Sequence, residues 1–162
     1  MIYIKSGKFC RLQDIPTGSC VMFPAHNSTR VGFLIELNSQ ERGVIDPNYI
    51  AENKREYPVI YSASTMRHEN IFFFERARIV PDLSPEAARF GLHVNGGISK
   101  ALYINEGELI LQAARNHDMF RFDLVTGKSP TDYGLSRLHT TRWQIETPNA
   151  DGDYQVLAAF SA

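Results

Sequence analysis

Apolar and polar residues alternate most regularly near the C-terminal end of the chain, in RWQIETPNADGDYQVLAAF (142–160). Trp143, Ile145 and Thr147 fall on one side of the first half, and polar residues separate them. Turn-forming residues at 148–152 divide this half from a second apolar run. Such an alternation around a turn predicts a β-hairpin. We expect Trp143, the only tryptophan, to face the core. We expect the returning strand, apolar on both sides, to be covered on both.

Short apolar runs of strand length recur along the rest of the chain, with glycine, proline, asparagine or aspartate between them. They are IYIK, KFCRL, SCVMF, RVGFLIEL, YPVIYS, NIFFFERARIV, KALYI, ELILQA and MFRFDLV. With the two strands of the terminal hairpin they make ten or eleven predicted strands, a number typical of all-β sandwiches and barrels. The sequence therefore predicts an all-β fold, mainly antiparallel, arranged as a compact barrel or sandwich.

Helices are expected to be short and few. In SPEAARFG (84–91), Ser84 is a candidate N-cap and Pro85 suits the first helical position. DPNYIAENKREYP (46–58) is the second candidate helix. NEGELILQAARNH (105–117) has apolar residues at helical spacing, but its glycine and the apolar run after it favour a strand. No change of composition marks a linker, so residues 1–162 are predicted to form one domain.

Two segments resemble β-trefoil lectins and inhibitors. YIKSGKFCRLQDIPTGSCVMF (3–23) is similar to their opening strand, short Asp-x-x-Thr-Gly turn and second strand. RWQIETPNADGDYQVLAAF is similar to their tryptophan strand, Asp-Gly turn and aromatic strand. The resemblance implies a β-trefoil-like arrangement and a carbohydrate or protein partner. Trp143 precedes Gln144, whereas ricin-type lectins have the order Gln-x-Trp, so no sugar-binding residue is carried over.

Length and charge restrict the classes of protein to be considered. The 162 residues are enough for one domain with its own core. With 17 basic and 18 acidic residues, the formal net charge is −1 and no run of like charge stands out. Nucleic-acid binding, which needs a basic surface, is therefore not expected. No segment has the pattern of a signal peptide or the ~18 consecutive apolar residues of a transmembrane helix. We expect a cytoplasmic protein that is not membrane-bound.

The sequence has few chemical motifs. Cys10 and Cys20 fit no zinc pattern and are expected as reduced thiols; a bridge between neighbouring strands stays open if the protein is exported. The five histidines form no HExxH motif, so no metal site is predicted. There is no Gly-x-Ser-x-Gly elbow, and HVNGGISK (93–100) lacks the spacing of a phosphate loop. No cofactor is expected, and catalysis is the less favoured interpretation.

The longest segment without a strand pattern is TGKSPTDYGLSRLHT (126–140), and it is the candidate binding surface. It is polar and varied, and loops on a rigid β scaffold are where binding residues usually lie. The candidate ligand-binding residues within it are Lys128, Asp132, Tyr133, Arg137 and His139.

Three functions are compatible with these patterns. The favoured one is a non-catalytic binding module for a carbohydrate or a protein partner. The second is a small enzyme with a dispersed site of histidine and carboxylates, and the third is a structural or interaction subunit of an assembly. A shallow aromatic patch would favour the binding module, a deep pocket with paired carboxylates and a histidine the enzyme, and a large flat apolar face the assembly.

Overall fold

The computed structural model describes residues 7–25, 27–52, 56–65, 70–91, 99–131 and 138–162. These residues form fourteen strands and two 3-10 helices, Leu12–Asp14 and Ala63–Thr65, and contain no helix of seven or more residues. The first seven strands are β1 Gly7–Arg11, β2 Cys20–Ala25, β3 Ser28–Asn38, β4 Glu41–Ile50, β5 Glu56–Ser62, β6 Asn70–Phe74 and β7 Arg78–Pro81. The others are β8 Ala88–Phe90, β9 Leu102–Asn105, β10 Glu108–Arg115, β11 Asp118–Asp123, β12 Leu138–Thr140, β13 Arg142–Pro148 and β14 Tyr154–Ser161.

Eleven strands form one large sheet in the order β1-β6-β2-β3-β4-β5-β10-β9-β12-β8, with β11 paired to β10. Its pairings are antiparallel except for a single contact between β5 and β10. The sheet does not close on itself, so β1 and β8 are its ends. The remaining strands form a small sheet in the order β14-β13-β7. The predicted all-β, mainly antiparallel fold is therefore confirmed, as an open sheet and not a closed barrel.

The small sheet packs on one face of the large sheet, and the main core lies between them. Trp143 and Phe160 come from the small sheet, and Phe33 and Leu111 come from the large one. The Trp143 ring is 2% exposed, stacks on Phe160 at 4.1 Å and lies 6.3 Å from Phe33 between ring centroids. The prediction that Trp143 faces the core is confirmed.

A second core covers the opposite face of the large sheet around β2, β3 and β4. Leu12, Ile15 and Ala63, from the two 3-10 helical segments, cover this face. Along β3, Leu34 points into the second core while its neighbour Phe33 points into the main core. A strand covered on both faces needs a continuous apolar run, which is what RVGFLIEL supplies.

The predicted C-terminal hairpin is confirmed as β13 paired with β14. Its register shifts at a β-bulge, because Ile145 lies opposite Ala158 whereas Glu146 lies opposite Val156. The extra residue, Leu157, reverses the alternation beyond that point. Val156 is consequently 46% exposed. The prediction that this strand is covered on both sides is wrong, because the face that carries Tyr154 and Val156 is open to solvent.

The described residues of the two segments predicted as helices form strands and turns, and the two short helices lie elsewhere. In SPEAARFG, the N–H groups of Ala87 and Ala88 donate to the carbonyl oxygen of Ser84, which makes a single turn before β8. In DPNYIAENKREYP, β4 continues to Ile50 through a bulge after Asp46. Pairing with neighbouring strands overrides the local helical pattern in both segments.

Both cysteines are free thiols. Cys10 lies on β1 and Cys20 on β2, and β6 separates these two strands, so no bridge joins adjacent strands. Burial raises the pKa of the Cys20 thiol far above its usual range, so this thiol is not ionised. In the described part of the chain, no helix is both long and apolar enough to cross a membrane.

Candidate functional site

Two of the five predicted ligand-binding residues, Lys128 and His139, are described, and their surroundings differ. Lys128 is exposed, with Nζ 3.9 Å from a carboxylate oxygen of Glu36. His139 lies in β12, is 3% exposed, and places Nδ1 2.9 Å from the carbonyl oxygen of Gly91. A buried ring held against the backbone belongs to the fold, so the prediction of His139 as a surface contact is not supported by its position.

The other three predicted residues, Asp132, Tyr133 and Arg137, lie outside the described residues. The start of the same segment is a tight turn held by Asp123. Its carboxylate accepts hydrogen bonds from the N–H groups of Val125 at 3.1 Å and Thr126 at 3.2 Å. Both described ends of the predicted loop are therefore hydrogen-bonded parts of the fold.

The described residues offer little for catalysis or metal binding. They contain no group of three or more histidine, cysteine, aspartate or glutamate side chains that could hold a metal ion. Hydrogen bonds from Arg115, Lys100 and Arg78 lower the pKa values of three carboxyl groups, those of Glu41, Glu56 and Glu146 respectively. A general acid needs the opposite shift, so these carboxylates serve as ion-pair partners.

An apolar groove lies where the large sheet extends beyond the main core. Residues that alternate along a strand, and residues opposite each other on paired strands, share one face of a sheet. On this face, β6, β2 and β3 contribute Phe74, Cys20 and Phe33 to the main core. The next row outward is Phe9 opposite Phe72, Phe72 opposite Met22, and Met22 opposite Val31. The outer row contains Arg11 opposite Asn70, and Pro24 opposite Thr29.

The groove has a volume of about 540 Å³ and a mainly apolar wall. It is lined by Phe9, Met22, Phe23, Pro24, Thr29, Asn70 and Phe72. It fits the description of a shallow aromatic patch, which favours a binding module over an enzyme.

Phe9 packs against Phe72 on one side and is otherwise exposed to solvent. Its ring meets Phe72 edge-to-face at 5.3 Å, and Phe72 meets Phe74 of the main core at 5.0 Å. Gly7 makes room for this stack, because a Cβ there would clash with the Phe72 ring. Phe9 nevertheless remains 71% exposed. An aromatic row thus runs from the core into solvent.

The two cations beside the groove differ in their partners. Lys8 points to the opposite face of β1, where its Nζ lies 2.8 Å from Glu75 and this hydrogen bond raises the pKa of Lys8. Arg11 is exposed on the same face as Phe9, and no described carboxylate lies within 4.0 Å of its guanidinium. Within the described part of the chain, no carboxylate therefore compensates the positive charge of Arg11 at the end of the outer row.

Asp46 is a second unusual feature, on the opposite face from the groove. Its carboxylate is fully buried, and Oδ1 accepts a hydrogen bond from the Asn48 N–H at 2.9 Å. Oδ2 has no hydrogen-bond partner among the described residues and lies 3.9 Å from Arg30 Nε. Burial raises the pKa of Asp46, while the Asn48 N–H and the Arg30 charge oppose that shift.

Polar contacts continue from Asp46 toward the small sheet. The backbone oxygen of Asn48 accepts a hydrogen bond from Arg30 Nη1 at 3.1 Å. The Oδ1 atom of Asn48 accepts one from Lys100 Nζ, also at 3.1 Å. The backbone oxygen of Lys100 in turn accepts from the Trp143 indole N–H at 2.7 Å. Lys100, the last residue of HVNGGISK, also pairs with Glu56 and is thereby engaged in the fold.

The solvent face of the small sheet carries a charged row. Val156 lies opposite Glu146, and Glu146 lies opposite Arg78. Arg78 Nη2 is 2.6 Å from the Glu146 carboxylate, and its guanidinium lies 3.7 Å from the centre of the Tyr154 ring. The edge strand β14 is thus flanked by fixed charge.

Comparison of the chain with known protein families, curated proteins and solved structures finds no match. The β-trefoil resemblance therefore stays a prediction. The groove and the buried carboxylate were not predicted from the sequence. One local signal could have indicated Asp46, because it directly follows Val44 and Ile45 within an apolar run. No local signal indicates the groove, because its residues come from strands that are distant in sequence.

Proposed function

We propose that the chain is a non-catalytic binding module and that a partner protein binds in the groove around Phe9, Phe72 and Met22. The observation that carries this proposal is the 71% exposure of Phe9 at the outer end of an aromatic row. Burying such a ring on binding gains roughly 1.5–3 kcal/mol. An apolar centre with a polar rim, rich in aromatic residues and methionine, is the usual composition of a protein interface.

The side chains of the groove favour a protein over a carbohydrate. Its rings are phenylalanines, which lack the polar tip that lets tyrosine and tryptophan hold a hydroxyl group while packing. Its neighbours Met22 and Pro24 are apolar as well. An enzyme is less supported, because the described carboxylates with lowered pKa values are bound to cations.

Site-specific photo-crosslinking in the producing cells tests the proposal. A benzophenone amino acid in place of Phe9 should give one discrete product of higher mass after irradiation. The matched control carries the same amino acid in place of Val156, an exposed apolar residue on the charged row, and should give no product. Equal products from both positions, or none from either, would exclude the groove as the binding site.

A glycan array separates the carbohydrate alternative. The wild-type chain and Phe9→Ser should give the same signals, because the groove is not expected to bind sugar. A glycan signal that Phe9→Ser abolishes would assign the groove to a carbohydrate instead. Far-UV circular dichroism of Phe9→Ser should match the wild type, since the side chain is largely exposed.

A further inference from the structure

We propose that the groove recognises an extended peptide segment that places an apolar side chain on Phe9 and a carboxylate beside Arg11. This inference rests on the proposed function and adds the chemistry of the partner.

The spacing of Phe9 and Arg11 defines the spacing in the partner. Both lie on β1, two residues apart and on one face. Their Cα atoms are therefore separated by about 6.8 Å, twice the rise of an antiparallel strand. An extended peptide has the same repeat, so its residues n and n+2 can meet Phe9 and Arg11 together. The matching segment has an apolar residue and an aspartate or glutamate two positions apart.

The charge of Arg11 defines the sign of the partner's polar residue. Three other arginines, Arg78, Arg115 and Arg142, have carboxylate oxygens at 2.6, 2.6 and 3.1 Å. Arg11 has no such partner among the described residues, and its cross-strand neighbour Asn70 is neutral. A carboxylate from the partner would complete the one charged position of the outer row, and charge complementarity of this kind gives an interface its specificity.

An anionic membrane would also complement an apolar and cationic surface, but the composition of the rim disfavours it. Membrane-binding surfaces use clusters of lysine and arginine, because each cation contributes little. In the described rim, Lys8 is neutralised by Glu75 and faces away from the groove. Among the described residues, Arg11 has no basic neighbour on the groove face, which suits one carboxylate better than a charged sheet of lipid.

A charge-swap titration tests the inference with two synthetic peptides. Thr-Glu-Thr-Phe-Thr-Glu-Thr has an acid two positions from phenylalanine in either direction, and Thr-Lys-Thr-Phe-Thr-Lys-Thr is its matched counterpart. Amide chemical shifts of the labelled full chain report binding up to millimolar peptide. The glutamate peptide should bind roughly fivefold more tightly, in line with one exposed ion pair. Arg11→Glu should reverse this preference, whereas Arg89→Glu, at the far end of the sheet, should not change it.

The outcomes separate this inference from the proposed function. Equal affinity for the two peptides, no binding of either, or a preference unchanged by Arg11→Glu would overturn the inference. If Phe9→Ser abolishes binding of both peptides while the preference is absent, the groove still binds protein and only the acidic partner is wrong. The wild-type chain could instead show no peptide preference but sediment with phosphatidylserine vesicles, and Arg11→Glu abolish that sedimentation. This result would assign the surface to a membrane. For each variant, a wide spread of amide chemical shifts verifies that the chain is folded.

Discussion

The strands β1 and β14 are both sheet edges with an exposed apolar residue, yet their neighbouring rows have opposite chemistry. Beside Val156 on β14 lies the Glu146–Arg78 pair, with a separation of 2.6 Å between charged atoms. Beside Phe9 on β1 lie Phe72 and then Met22, so the row is apolar throughout. Natural sheets protect their edges with charged residues, because an unprotected edge pairs with other chains.

The difference shows that exposure alone does not identify a binding surface. Phe90 on β8 is even more exposed than Phe9, at 84%. However, β8 has three residues, and very short edge strands are another protection against pairing. The five-residue β1 combines exposure with an apolar row. We therefore interpret β1 as the edge where contact is useful and β14 as the edge where contact is prevented.

The largest expected effect is on the free energy of unfolding, and it compares the packed Trp143 with the exposed Phe9. Trp143→Ala removes the indole that joins the β14 side to the large sheet, and we expect a loss of about 3–5 kcal/mol in the free energy of unfolding. Phe9→Ala should change it by no more than about 0.5 kcal/mol, as for other surface positions. Urea unfolding of both variants gives the two values. Losses of similar size would show that Phe9 is part of the core and would remove the basis of the comparison.

The pH dependence of stability also distinguishes the two regions. The central groove residues, Phe9, Phe72 and Met22, do not titrate. Asp46 does, and hydrogen bonds through Asn48 and Lys100 connect it to Trp143. Burial raises the folded-state pKa of Asp46, so stability falls as pH rises through that folded value. Asp46→Asn carries no charge and should be more stable than the wild type at neutral pH. This advantage should shrink in acid, where Asp46 is protonated. Thermal midpoints across the pH range measure the effect.

Asp82→Asn is the matched control with the opposite sign. The hydrogen bond from the Ser84 N–H lowers the pKa of Asp82, so its contribution is present at neutral pH and is lost as pH falls through the folded value. Asp82→Asn should therefore be less stable than the wild type at neutral pH. Identical pH profiles for the two variants would contradict the burial argument for Asp46.

Two double substitutions, each with a small expected effect on stability, test the protection of β14 directly. Arg78→Ala with Glu146→Ala should change the free energy of unfolding by about 1 kcal/mol, because the Arg78 side chain is 53% exposed and removing both partners leaves no unpaired charge. Arg78→Val with Glu146→Val instead converts the charged row into an apolar one resembling that of β1. We expect this variant to self-associate with rising concentration in sedimentation velocity. A variant that stays as dispersed as the alanine control would show that charge does not protect this edge.

The sequence was informative where structure is local. The C-terminal hairpin and the inward side of Trp143 followed from alternation over adjacent residues. The bulge at Leu157 was not predictable from the pattern, since one extra residue reverses the faces and exposes Val156. The segment after Asp46 is a candidate helix by sequence, since it lies between two prolines, Pro47 and Pro58. Its pairing with β5 decided otherwise.

The groove could not be predicted for a different reason. Its middle row requires β6 to lie between β1 and β2, although β6 follows β5 in sequence. A reading of neighbouring segments would pair β1 with β2 across their short connection. The candidate loop at 126–140 was chosen for its polar composition, whereas the groove consists of ordinary strand residues. Only the order of the strands places Phe9 beside Phe72.

The position of β6 between β1 and β2 also affects the order in which the chain folds during synthesis. As the chain is synthesised, β1 emerges first but cannot find Phe72 until all of β2 to β5 have left the ribosome. Closing such a distant contact is slow compared with hairpin formation, so the hairpins of β2, β3 and β4 have time to form beforehand. A truncated or half-folded chain would have no groove to offer. Occupancy of the groove by a partner would therefore act as a signal that this region is fully assembled.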